Sequence, residues 1–129
     1  MVHHCNRRGF CGTRTLPFRE TLFAPQGSDG VYLECRLSSD SEPDRRVWKV
    51  TLRTNGERGE VVYQAPYEIT RGEADADGWV RVRVPFENFR LVRGPRMVVG
   101  GPPLDISGGI YQLGLTLSKF VMGVNSVRL

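Results

Sequence analysis

Trp79-Val-Arg-Val-Arg-Val-Pro85-Phe86-Glu-Asn-Phe89 is the stretch on which the fold reading turns. Val80, Val82 and Val84 alternate with Arg81 and Arg83, the period-2 pattern of a half-buried strand. Pro85 has no N–H to give to a ladder, so the strand is predicted to stop there. Phe86 and Phe89 are three residues apart, and one helical turn brings both rings onto the same core edge. Working outward, the same alternation recurs. Val31, Leu33, Cys35 and Leu37 share one face, with Tyr32, Glu34 and Arg36 on the other. Trp48, Val50 and Leu52 alternate with Lys49, Thr51 and Arg53. Val61, Tyr63, Ala65 and Tyr67 alternate with Val62, Gln64 and Pro66, and Tyr111, Leu113, Leu115 and Leu117 with Gln112, Gly114 and Thr116. Polar turns rich in Gly, Asp, Asn and Ser join these runs, as at 38–44, 55–59 and 71–78. No window carries a sustained 3.6-residue apolar period and no internal repeat is visible. An all-β sandwich or barrel follows.

The chain has 129 residues and a formal net charge of +4. That length supports one domain with a single core, assigned to residues 1–129. No apolar run approaches the ~20 residues that a membrane helix requires. The N-terminus shows neither a signal-peptide apolar region nor a convincing transit peptide, and residues 1–8 are predicted to be a loose terminus. Residues 90–109 hold Gly94-Pro95, Gly100-Gly101-Pro102-Pro103 and Gly108-Gly109, and read as a long Gly/Pro-rich loop. Loops of that length are uncommon in compact domains and are often functional. Two readings stand for it: an edge ribbon tucked onto the sandwich, or an exposed apolar tip around Met97-Val98-Val99 that meets a partner.

Charge is concentrated. Between Trp79 and Arg96 lie Arg81, Arg83, Arg90, Arg93 and Arg96 against Glu87 alone, a local +4 that equals the net charge of the whole chain. Together with Arg36, Lys49 and Arg53, which point away from apolar strand faces, these predict a basic sheet face. Nucleic acid is not the expected partner, because aromatics do not interleave with the basic residues along the chain as stacking platforms do. The composition also offers a plain account, since the basic residues are sixteen arginines and only two lysines.

Catalytic patterns are missing. There is no GxSxG, P-loop, GxGxxG or HExxH. Both histidines fall within the first four residues, which leaves none in the interior to act as a general base. Glu73, Asp75 and Asp77 lie on one turn rather than across a cleft as a glycosidase pair would. Asp75-Ala-Asp77-Gly78 resembles a calcium loop only faintly and lacks the downstream bidentate Glu. His3, His4, Cys5 and Cys11 are zinc-type ligands without CxxC or HxxxH spacing, so no metal is assigned. Cys5, Cys11 and Cys35 form no even framework and read as reduced thiols. The chain is expected to be neither an enzyme nor a cofactor binder.

Several pieces, in order, resemble the complex I intermediate-associated protein 30 family. They are Gly9-Phe10-Cys11-Gly12-Thr13-Arg14-Thr15, Trp48-Lys-Val-Thr-Leu52-Arg53-Thr54, Tyr63-Gln64-Ala65-Pro66-Tyr67, Gly78-Trp79, Pro85-Phe86-x-x-Phe89, Arg93-Gly94, Pro103-Leu104-Asp105 and Ile110-Tyr-Gln-Leu-Gly114-Leu115. The resemblance covers residues 9 to 118. It implies a galactose-binding-like jelly-roll β-sandwich, truncated at both ends. The family's strand before Gly9 is missing, and Val124–Leu129 stops where a closing strand is needed. It also implies an assembly factor or chaperone-type interaction domain for mitochondrial NADH:ubiquinone oxidoreductase, on the matrix side. Its partners would be subunits or assembly intermediates of that complex, with peripheral membrane association compatible. A chloroplast photosystem-biogenesis or RNA-associated factor of the same family and a carbohydrate-binding module remain the alternatives. For the last, Trp79 is the one credible exposed platform. The partner-binding residues expected from resemblance and charge are Arg53, Trp79, Arg81, Arg83, Arg93 and Gly94.

Overall fold

A computed structural model describes residues 2–6, 10–36, 47–54, 56–69 and 71–118, with side chains described from residue 12 onward. Among the described residues nine strands run in the order β1 (Val2–Asn6), β2 (Phe10–Arg14), β3 (Gly30–Arg36), β4 (Val47–Arg53), β5 (Val61–Tyr67), β6 (Trp79–Pro85), β7 (Arg90–Arg93), β8 (Arg96–Met97) and β9 (Gln112–Ser118). They form a seven-stranded sheet in the order β1-β2-β9-β4-β5-β7-β8 and a two-stranded sheet of β3 and β6. All the pairings are antiparallel. The result is an all-β sandwich.

The alternation seen in the sequence fixes which faces meet. β6 lies on β3 with Val80 opposite Cys35, Val82 opposite Leu33 and Val84 opposite Val31. This register gives the small sheet one apolar face, and Val80 and Val84 are buried in it. The large sheet answers with Val50 and Leu52 from β4 and Tyr63, Ala65 and Tyr67 from β5, joined by Ile69 and Ile110 in one core cluster. Trp48 and Tyr67 contribute a tilted ring pair with centroids 6.4 Å apart. The core therefore sits between the sheets, and each sheet keeps an outer face.

After Pro85 a 3-10 turn, Phe86–Asn88, redirects the chain, and the Phe89 N–H donates to the Phe86 carbonyl at 3.1 Å. The two rings come within 6.4 Å of each other, as their spacing predicts. Their burial differs. Phe89 is 2% exposed and central to the core, whereas Phe86 is half-buried and packs against its margin.

Two segments depart from expectation. Val2–Asn6, assigned to a loose terminus, runs as a strand paired along its whole length with β2. That segment has no apolar alternation to announce a strand. The unpaired backbone of β2 recruits it, because a free strand edge is a row of unsatisfied donors and acceptors. Residues 90–109 are not one long loop. β7 adds to β5 and turns back as β8, forming the edge ribbon that was one of the two readings. The remainder, 98–109, is irregular but anchored: Tyr63 Oη donates to the Pro102 carbonyl at 3.0 Å, and Val98 N–H to the Leu91 carbonyl at 3.0 Å. Val99 projects fully from this ribbon and Met97 is exposed, while Val98 between them is half-buried. The predicted strand position of Leu37 and the terminal Val124–Leu129 lie outside the described residues, as do the side chains of His3, His4, Cys5 and Cys11.

Candidate functional site

The outer face of the small sheet is built by register. Across β3 and β6, Tyr32 faces Arg83, Glu34 faces Arg81 and Arg36 faces Trp79. All six side chains are exposed. The start of β6 is set by an Asx-type turn in which Asp75 Oδ1 accepts from the Asp77 and Trp79 N–H groups, each at 2.9 Å. This carboxylate, the middle member of the acidic run at 73–77, is thus committed to the backbone that positions Trp79.

Rings and guanidiniums then interleave. Arg36 lies over the Trp79 ring at 5.1 Å from its centroid, and Arg81 lies over Tyr32 at 4.5 Å. Arg83 makes a 2.6 Å ion pair with Asp29, and this hydrogen bond and charge raise its pKa further above physiological pH. The reading that aromatics and arginines do not alternate is therefore corrected. They do so across two strands some forty-five residues apart in sequence, which a scan along one strand cannot register. Each guanidinium already covers a ring face, so neither Tyr32 nor Trp79 is an open stacking platform on that side.

Arg53 is elsewhere. It follows Leu52, which is wholly buried between the sheets, and so projects from the outer face of the large sheet, on the opposite side of the sandwich from Arg81 and Arg83. Its guanidinium donates to the Gly59 carbonyl. Burial, followed by the charges of Arg14 and Arg58, pushes its pKa below the usual guanidinium range. Arg58 stacks over Tyr111 at 4.6 Å, and Glu57 accepts from the Thr54 N–H and Oγ1, each at 2.6 Å. Lys49, on the same outer face, is 9% exposed, and burial lowers its pKa.

Arg93 and Gly94 occupy a third place, the turn of the β7–β8 ribbon. Gly94 has φ +58°, a left-handed conformation that a side chain disfavours, and its N–H donates to the Glu60 carbonyl at 3.2 Å. The single basic face expected from the sequence is thus divided. Trp79, Arg81 and Arg83 come together, Arg53 lies behind them across the core, and Arg93 with Gly94 marks one sheet edge. Sequence reasoning missed Tyr32 on the small sheet with Asp29 just before it, and Arg14 on the large sheet with Arg58 in the β4–β5 turn.

The ordered pieces that this sandwich assembles match a known profile. The model of the complex I intermediate-associated protein 30 family, CIA30, matches residues 1–128. The chain belongs to the CIA30 family. None of the curated proteins compared with the chain matches it. The CIA30 match spans both sheets and all three places described above, so each is part of the family domain rather than an appendage. Among the described residues no helix is long and apolar enough to cross a membrane.

Proposed function

We propose that this chain is a non-catalytic interaction module in the assembly of mitochondrial NADH:ubiquinone oxidoreductase, and that it holds partly assembled intermediates through the outer face of β3 and β6. The family description, which names complex I intermediates, supports the context and the mitochondrial setting. One observation carries the choice of surface: Arg36, Trp79, Arg81 and Tyr32 form an exposed, interleaved cation–π array on a short rigid ribbon. Aromatics and arginines are the residue types that dominate protein–protein hot spots, and here they are held in place before a partner arrives. With Arg36 lying across Trp79, a protein surface suits this face better than a sugar ring.

No chemical step belongs to this reading. Three acidic side chains work on the fold: Asp75 closes the turn into β6, Glu57 closes the β4–β5 turn, and Asp105, its pKa lowered by the Ser107 N–H, caps its own loop.

The test is co-purification of the full-length protein from mitochondrial extract, comparing wild type with an Arg81→Ala/Arg83→Ala variant. Recovery of complex I subunits by the wild type and their loss from the variant, at an unchanged melting temperature, is the expected result. Equal recovery by both proteins overturns the assignment of this face. Recovery of photosystem components instead moves the chain to the plastid.

A further inference from the structure

The small sheet has two strands, so each of them has an outer edge, and the two edges are finished differently. Along β6 the edge is blunted at both ends. The Trp79 carbonyl accepts from the Asp75 N–H at 2.9 Å, the Trp79 N–H donates to Asp75 Oδ1, and Pro85 has no N–H to offer. β8, an edge of the large sheet, is two residues long and follows Pro95. β3 carries none of these devices. It runs for seven residues without a proline and pairs residue for residue with β6, and among the described residues nothing pairs with its other side. An edge of that kind is a template for another strand.

Register determines which groups are open. In an antiparallel pair, residues that exchange both hydrogen bonds alternate with residues that turn both groups away. Trp79 turns both of its groups to Asp75, so Arg36 opposite it turns its own outward, and Glu34, Tyr32 and Gly30 follow at every second position. The far end agrees. There the Phe86 N–H donates to the Asp29 carbonyl at 2.9 Å, which makes Asp29 a bonded position and Gly30 an outward one.

Packing and charge point to the occupant. The side chains that β3 sends toward the core, Val31, Leu33 and Cys35, are only half-buried. Val84 and Val80, opposite Val31 and Cys35 on β6, are 1% and 3% exposed. A strand laid along β3 would finish covering its apolar row. On the outer face Glu34 and Arg36 stand two residues apart with opposite charge. Arg81, across the ladder from Glu34, lies over Tyr32, and among the described residues Glu34 has no ion pair. An antiparallel copy of β3 with Cys35 on the two-fold axis sets Glu34 against Arg36 of the second copy, and Arg36 against its Glu34. Both are outward positions, so one register makes the backbone bonds and both charge pairs. Arg36 can keep its face on Trp79 and give its in-plane N–H groups to the carboxylate.

We propose that β3 is a self-association edge, on which a second copy of this chain pairs antiparallel about Cys35 to give a four-stranded small sheet. A two-fold contact of this kind uses the same patch on both copies. The outer faces of the two copies then run on as one surface, and a partner held there meets two cation–π arrays instead of one. The contact itself is made by the strand edge, so it does not depend on what the outer face binds.

The test is sedimentation equilibrium of the full chain, purified alone, over a range of concentrations; its readout is a mass and is independent of complex I recovery. A monomer–dimer equilibrium is expected. Glu34→Arg and Arg36→Glu each set like charges opposite one another and should weaken dimerisation about tenfold. An equimolar mixture of the two single variants should restore it, because each copy then supplies the charge that the other lacks, an outcome that misfolding cannot produce. Register is read on the wild type. Directly opposed, non-hydrogen-bonded residues stand within disulfide range, so oxidation by air with copper phenanthroline should link Cys35 to Cys35 of the second copy, identified by peptide mass spectrometry. A chain that is monomeric at every concentration, single variants that dimerise like wild type, a mixture no tighter than its components, or a link formed only through Cys5 or Cys11 overturns the proposal.

Discussion

On the outer face of β3 and β6 each arginine meets a ring or a carboxylate: Arg36 meets Trp79, Arg81 meets Tyr32 and Arg83 meets Asp29. On the outer face of the large sheet Arg53 instead donates to a backbone carbonyl, that of Gly59, and burial with the charges of Arg14 and Arg58 lowers its pKa, while Arg58 stacks over Tyr111. The first surface is internally satisfied and solvent-exposed. Its charges are screened in water, and its pairs contribute little to stability. The second is more deeply packed at Arg53 and Lys49, where burial opposes the charged forms. The same residue type thus forms exposed, ring-stacked pairs on one side of the core and a half-buried, backbone-bonded guanidinium on the other. Burial and the spacing of opposite charges, rather than arginine content, make the difference.

That contrast depends on the core that keeps the faces apart, so the largest effect comes from breaking it. Phe89→Ala removes a ring that is 2% exposed and should cost about 3–5 kcal/mol, lowering the melting temperature and weakening both surfaces together. Phe86→Ala should cost clearly less, since that ring is only half-buried. A chemical-denaturation series that ranked the two equally would refute this account of the turn.

Next in size is Gly114→Val. Its side chain would press on Thr51, on the β2 backbone and on the Arg14 side chain, with an expected cost of about 1–3 kcal/mol read by chemical denaturation. Co-purification of partners through β3 and β6 should survive at temperatures where the variant is folded. Loss of co-purification in a folded variant would mean the two faces are coupled.

The smallest effect is on Lys49. Burial lowers its pKa from the usual lysine value, so between the lowered folded value and about 10.4 the unfolded chain binds more protons than the folded one. Stability from this group is therefore reduced at neutral pH and recovers as pH rises through that window. Lys49→Met should raise the melting temperature slightly at pH 7, and the gain over wild type should shrink toward pH 10. Tyr67 has the opposite sign. Its buried phenol holds a raised pKa, so its contribution is full below about pH 10 and falls above it. Comparing the variant with wild type at each pH cancels the tyrosine. A gain that grew with pH would contradict the placement of Lys49.

Much of the architecture was legible in the chain. The alternations at 31–35, 48–53, 61–67 and 79–84 each became a strand with the predicted face inward, because a period of two is enforced by the pleat itself. β1 was not legible, because its pairing depends on the backbone edge of β2 and not on its own side chains. The β7–β8 ribbon was half-legible: Gly94 marked a turn, but its two short strands are held by β5 rather than by local pattern.

The site divides in the same way. Sequence alone determined that the chain is all-β, that it carries the ordered pieces of the CIA30 family, and which side of each strand is basic, since these follow from local alternation and residue order. Only the tertiary structure decided which basic sides belong together. Arg53 and Arg81 have the same strand context in the sequence, yet β4 and β6 belong to different sheets and the buried core turns them in opposite directions. Strand register then gave Arg81 an aromatic neighbour and Arg53 the company of other cations. Such partnerships depend on non-local pairing, which no window along the chain contains.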